Sequence, residues 1–436
     1  MIVLLIIFWL LGLFLSIKSP TYFVVYYILA STKFLGFIDP STFIVNGVEL
    51  GYFGLNLITL IGAFLFVKWY SIPKRSILFL SLISIMLIYG ILKPIIDGNS
   101  TAGQALIASK DIWFYFLFFY LVLQRKRVLI VDIIKVIKWL GLYLSLIYII
   151  GVIYPNFVPH LYFEDEIVRV FYPTYISLAL LLFAVEIKVE NKNIINNYLR
   201  ILLLMTGLFL TGYASLTITS ALGLIIYKFM FNQQSLFSKS SIIRLTLFLI
   251  LFILSMILYN EDIYHSVLEQ INDIVSRDDT SLSSRIFYNE FRWEAINKQK
   301  EFGYGFIHQS SEIMKTINTS DTNRFMERLG VIDSGYVDML TKFGFIGSAI
   351  ILMVYFKYTL IGFVKKNRNP MSLAMSIYLA QYFFVNYTWS VFTFAHGIIP
   401  GVIALFILLN TKSRISKFNK TKRGVRFKFR RKVNID

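Results

Sequence analysis

The sequence predicts an all-α polytopic membrane protein of about 12-13 transmembrane helices, with one large, partly helical external loop. Three observations carry that expectation. Of 436 residues, 57% are hydrophobic and the mean hydropathy is +0.66, too apolar for a soluble domain. Apolar windows recur from end to end at the length needed to cross a hydrocarbon core roughly 30 Å thick. Residues 260–335 alone form a long polar interruption.

The windows are 2–17, 21–38, 51–69, 76–96, 104–123, 129–153, 174–187, 198–212, 214–232, 242–259, 336–361, 371–388 and 397–410. The first lacks a basic leader region and a small-residue cleavage site, so no cleavable signal peptide is expected. Thr211, Gly212, Tyr213 and Ser215 interrupt the pair 198–232. It reads either as two tilted spans or as a broken pair around a polar cavity. Thirteen spans put the N-terminus outside; one re-entrant segment lowers the number to twelve.

Lysine and arginine set the expected orientation. Connectors with Lys68, Lys74 and Arg75, with Arg125, Lys126 and Arg127, and with Lys365, Lys366 and Arg368 should face the cytoplasm. So should the tail 411–436, which holds 11 basic residues against one acid. The chain then divides into N-terminal helices 1–259 with a short external loop 154–173, the external loop 260–335, C-terminal helices 336–410 and the basic cytoplasmic tail. Topology and anionic headgroups account for most of the formal charge of +18, at about 1 kcal/mol per basic residue near the surface. No RNA-binding pattern accompanies the tail, so nucleic acid is not an expected partner.

No cysteine occurs, which removes disulfides, thiol nucleophiles and Cys metal sites. His160, His265, His308 and His396 show no metal-ligand spacing. Asp278-Asp279 is a loose divalent-ion candidate or an ordinary solvated pair. Neither a protein-held metal nor a cofactor is expected.

Charges inside apolar windows are functional candidates by default. Lys110 and Asp111 lie within 104–123; they read as an interhelical tie or as a substrate contact. Lys93, before Pro94, fits snorkelling at the outer interface. Arg169 follows Glu164, Asp165 and Glu166 where the chain re-enters the membrane. It anchors a helix end, or it binds phosphate through a bidentate fork. In the large loop, Thr280-Ser281-Leu282-Ser283 can cap a helix from about Ser284 to Lys298. Arg285, Tyr288 and Arg292 then share one face, beside Trp293. Glu301-Phe302-Gly303-Tyr304-Gly305 is a two-glycine turn, and Arg324 and Arg328 form an i, i+4 pair. Asp333 fits the N-cap of the next membrane helix, and Asp338 with Lys342 an i, i+4 ion pair.

Three places carry a likeness: Arg169-Val170-Phe171-Tyr172-Pro173; Ser284-Arg285 with Trp293, Ala295 and Phe302-Gly303-Tyr304-Gly305; and Asp333-Ser334-Gly335-Tyr336-Val337-Asp338-Met339-Leu340 running into Phe343-Gly344-Phe345-Ile346-Gly347. With them the chain resembles the bacterial O-antigen polymerase and ligase superfamily, particularly the Wzy-type polymerases of lipid-linked repeat units. Where the ligases show His-Asn, this chain has Asp333-Ser334, which leans toward polymerase. Where the family shows Ser-Arg in the broken-helix region, it has Tyr213-Ala214-Ser215.

The resemblance implies a metal-independent, membrane-embedded glycosyltransferase of GT-C-like architecture. It would move a growing glycan from undecaprenyl pyrophosphate to the terminal sugar of a new lipid-linked repeat unit, for O-antigen, capsule or exopolysaccharide. Its partners would be undecaprenyl-pyrophosphate-linked oligosaccharides, membrane lipid and a chain-length regulator protein. Arg169 and Arg285 are then the expected grips on the leaving pyrophosphate, at about 3–4 kcal/mol per well-placed donor. Lys110, Arg292, Arg324 and Arg328 are lesser substrate contacts. Asp333, or failing it His308, would accept the hydroxyl proton. Tyr288, Trp293 and Tyr304 stack on sugars or pack the loop's own core. The alternatives are the ligase branch, which moves polymer onto lipid A core, and a lipid-linked oligosaccharide flippase or transporter.

Overall fold

A computed structural model describes residues 2–33, 43–45, 48–65, 72–154, 162–164, 167–169, 172–190, 194–232, 293, 295–308, 311, 334–364 and 369–410. Helices α1 (Ile2–Lys18), α2 (Pro20–Ser31), α3 (Leu50–Phe64), α4 (Lys74–Ile96), α5 (Ala102–Ala108), α6 (Phe116–Leu123) and α7 (Ile130–Ile153) come first. Then follow α8 (Pro173–Glu190), α9 (Ile194–Leu210), α10 (Ala214–Asn232), α11 (Gly335–Phe363), α12 (Pro370–Val385) and α13 (Ala395–Asn410). Two antiparallel hairpins interrupt them: β1 (Ile44–Val45) with β2 (Val48–Glu49), and β3 (Tyr162–Glu164) with β4 (Ile167–Arg169).

The protein is an all-α polytopic membrane protein. Over its described residues each apolar window coincides with a helix or helix pair, except 242–259, which lies wholly outside them. Among the described residues, α4, α7 and α11 are long and apolar enough to cross a bilayer, as is the pair α5–α6 if its 65° bend is one broken span. The apolar stretches of the other helices run 10–17 residues, and at 1.5 Å per residue a helix that short falls below a full hydrocarbon core.

One apolar core runs through nearly all the helices. Helix α7 lies against α8 and α9, α12 against α8, α10 and α11, and α3 against α1 and α6. Small residues allow the closest approaches: a Cβ on Gly141 of α7 would stand 2.4 Å from Ala179 of α8, and one on Gly207 of α9 2.4 Å from Ser145 of α7. Apolar surfaces in lipid gain little by burying each other, so close backbone contact and polar bonds hold such helices together. Accordingly, buried Gln381 of α12 accepts a hydrogen bond from Ser177 of α8 (2.8 Å) and donates to the Thr219 carbonyl of α10 (3.2 Å).

Two local expectations are corrected. The N-cap of α11 is Ser334 rather than Asp333. The hydrogen-bonding register closes one residue later, because the Asp338 N–H already bonds the Ser334 carbonyl (2.9 Å). Arg169 does not sit at a helix end but in β4, paired across the hairpin with Tyr162; α8 begins only at Pro173.

Candidate functional site

Two breaks in helical backbone organise the polar centre. The first separates α5 from α6. Thr101 and Gln104 form a capping box that starts α5, and a 3-10 turn, Ile112–Tyr115, restarts the chain after Ser109, Lys110 and Asp111. The second lies inside α11, where Gly344 takes φ +64° and ψ −170°. Side chains disfavour that region, so glycine marks the kink.

The kink strips helical partners from its flanks, and the two-glycine turn replaces them. The N–H groups of Tyr304 and Gly305 donate to the carbonyls of Thr341 and Lys342 (both 2.9 Å). In return, Phe345 and Ile346 donate to Lys300 (2.7 Å) and Glu301 (3.1 Å). Phe306 N–H donates to the Gly90 carbonyl of α4 (2.7 Å), and Tyr89 Oη to that of Phe302 (2.5 Å). Residues 300–306, midway along the large loop, are thereby latched to α4 and α11, by main chain except at the Tyr89 hydroxyl. Space is minimal, since a Cβ on Gly303 would lie 2.5 Å from the Gly344 nitrogen.

Charged groups gather between the breaks. Asp338, almost fully buried, accepts from Lys342 Nζ (2.8 Å) and Thr393 Oγ1 (2.5 Å). Lys342 Nζ also stands 5.6 Å from the centre of the Phe394 ring. Lys110 Nζ binds Glu49 Oε1 at the end of β2 (2.6 Å). Asp111 lies near both Lys110 and Lys342 and close to the Ala395 N–H at the start of α13. Nearby, the His396 ring stacks on Trp389 (5.2 Å) and Phe394 (6.1 Å). Glu49, Lys110 and Asp111 edge an open cleft walled by Tyr52, Phe53, Leu106, Ile107, Trp113 and Phe114.

Of the candidates named from sequence, Lys110 is brought into this centre, with Glu49 as its direct partner rather than Asp111. The Asp338–Lys342 pair forms as the spacing predicts. Trp293 is partly exposed and stacks at 6.5 Å on Phe345 beside the kink. Tyr304 is buried, with its hydroxyl donating to the Ala295 carbonyl (2.8 Å), so here it packs the loop segment. His308 follows the latch and is partly exposed. Lys93 pairs with Asp97 (2.5 Å). For Arg169 only the strand position is described. Arg285, Tyr288, Arg292, Arg324, Arg328 and Asp333 lie outside the described residues. Glu49 was missed by the sequence reading because it is an ordinary acid before an apolar window. His396 stands at the start of another, and its stacking partners come only from folding.

Residues 199–352 match the family described as O-Antigen ligase. That stretch, about a third of the chain, supports a relation to the O-antigen polymerase and ligase superfamily. Members of this superfamily are glycosyl-transfer enzymes, and the match spans α9, α10, the two-glycine turn and the kinked half of α11. No curated protein matches the chain.

Proposed function

We propose that this protein is a polysaccharide polymerase of the cytoplasmic membrane. It transfers a growing glycan from undecaprenyl pyrophosphate to the terminal sugar of a new lipid-linked repeat unit on the outer face. The observation that carries the reading is the latch: it fixes residues 300–306 of the 260–335 loop, within the matched family region, beside a charged centre at two broken helices. The donor is already activated, because pyrophosphate leaves readily. What remains is to hold two lipid-linked substrates, neutralise charge on the departing phosphate and accept one proton. Arg169 and Arg285 are assigned to the pyrophosphate, supported by Arg292, Arg324 and Arg328. A chain-length regulator is the proposed protein partner.

Purified protein given one synthetic lipid-pyrophosphate repeat unit should yield a ladder of products. Arg285→Ala and Arg169→Ala should lose the ladder while membrane insertion and abundance persist. Arg285→Lys should fail as well, since a point charge cannot make the bidentate contact. A normal ladder from either alanine variant removes that arginine from the site.

The family's description favours a second reading, transfer of finished polymer onto lipid A core. A deletion strain separates the two. Loss of a polymerase leaves surface lipid with a single repeat, whereas loss of a ligase strands long polymer on its carrier.

A further inference from the structure

The cleft beside β2 joins an apolar wall to a charged edge. Its walls are aromatic and aliphatic: Tyr52 and Phe53 on α3, Leu106 on α5, Trp113 and Phe114 after the break. Its polar edge holds Glu49, Lys110 and Asp111. Among the described residues, the charges around that edge do not cancel. Glu49, Asp111 and Asp338 are three carboxylates, and Lys110 and Lys342 are two ammonium groups. Each ammonium is already closed on another acid, Lys110 on Glu49 at 2.6 Å and Lys342 on Asp338 at 2.8 Å. Among the described residues, Asp111 closes an ion pair with neither ammonium. It is therefore the carboxylate of this edge left open to accept a hydrogen bond from an incoming hydroxyl. It is also partly exposed, whereas Asp338 is sealed between Lys342 and Thr393. Of the described histidines, neither His308 nor His396 lines this cleft.

We propose that Asp111 is the proton acceptor for the attacking hydroxyl and that this cleft admits the acceptor, an amphipathic molecule with a lipid portion and a polar sugar. The assignment rests on the glycosyl-transfer reading above. In the step, the acceptor oxygen bonds to the anomeric carbon of the donor, and its proton passes to Asp111. The bond between that carbon and the pyrophosphate oxygen breaks, and its electron pair leaves with the pyrophosphate. Lys110, paired with Glu49 at the mouth and half exposed, orients the polar end of the acceptor. Asp111 in turn carries the proton to water through the open side of the cleft.

The test uses the full-length purified protein, a lipid-pyrophosphate donor and a lipid-linked acceptor, with initial rates across pH. The wild type should show a rate that rises with pH on the acidic side. Asp111→Asn should lower kcat by about 10²–10⁴-fold, the usual worth of a positioned base. It should also abolish that acidic limb and leave donor affinity unchanged. Asp111→Glu should restore part of the rate together with the limb. Leu106→Trp, at an exposed wall position where folding is not at stake, should raise KM for the acceptor but not for the donor. Asp111→Asn turning over at close to the wild-type rate with the same pH profile overturns the assignment. An unchanged acceptor KM in Leu106→Trp removes the cleft from the acceptor's path. A wild-type protein that makes no product refutes the glycosyl-transfer reading itself, a failure visible before any variant is compared.

Discussion

Asp338 and Lys342 show how a polar pair survives inside an apolar helix. The carboxylate side chain is 3% exposed and the ammonium 21%, so desolvation is incomplete on one side only. Thr393 supplies the second hydrogen bond to the same oxygen, and the Phe394 ring lies near the ammonium. Removing one partner of such a pair leaves a buried charge uncompensated and costs about 3 kcal/mol, whereas replacing both is close to neutral. Lys342→Met should therefore lower thermal stability in detergent by roughly that amount. Asp338→Asn combined with Lys342→Met should recover most of the loss, since Asn still accepts from Thr393 and Met keeps the stem packed. A double variant as unstable as the single one shows that the side-chain volumes, not the charges, hold this part of α11.

The latch between the two-glycine turn and the kink follows from backbone rules alone. A left-handed conformation costs a side-chain residue about 1–2 kcal/mol, and Gly303 (φ +68°) and Gly344 (φ +64°) both adopt it. Each would also drive a Cβ into the other's backbone: 2.5 Å to the Gly344 nitrogen in one case, 2.4 Å to the Glu301 carbonyl oxygen in the other. Gly303→Ala and Gly344→Ala should each lower the melting temperature and expose residues 295–308 to proteolysis. Gly103→Ala, in α5 with open space around it, should be neutral or stabilising by up to about 1 kcal/mol. Equal effects at all three positions would leave the latch without a structural role. The helices were legible in the sequence because apolar windows are long and unambiguous. Phe302-Gly303-Tyr304-Gly305 was legible as a turn and Phe343-Gly344-Phe345 as a motif, but not their pairing: period and propensity are local, while these hydrogen bonds join residues some forty positions apart. For the same reason Lys110 was visible as a charge out of place, and its closure on Glu49 was not.

Helices α4 and α11 give the bundle two chemically distinct ends. At one, the Phe306 N–H meets Gly90 near the end of α4, close to Lys93 and Asp97, and the latch clasps the start of α11. At the other, Tyr358 near the end of α11 donates to the Arg75 carbonyl at the start of α4, so the two helices run antiparallel. Arg127 joins α1 by donating to the Ile17 carbonyl (2.6 Å), beside Lys18. A basic end opposite the latch is the pattern that keeps lysine and arginine in the cytoplasm. It requires Arg169 and Arg285 to share the outer side if they are to grip one pyrophosphate. The chain contains no cysteine, so single substitutions report without background. Cysteine placed at 169 or 285 should react with a membrane-impermeant maleimide in intact cells. Cysteine at 75 or 126 should react only after permeabilisation. Labelling of 169 and 285 from opposite sides would break the arginine pair as a common site, and with it the leaving-group half of the proposed reaction. The cleft at Asp111 would still be testable by its own pH profile.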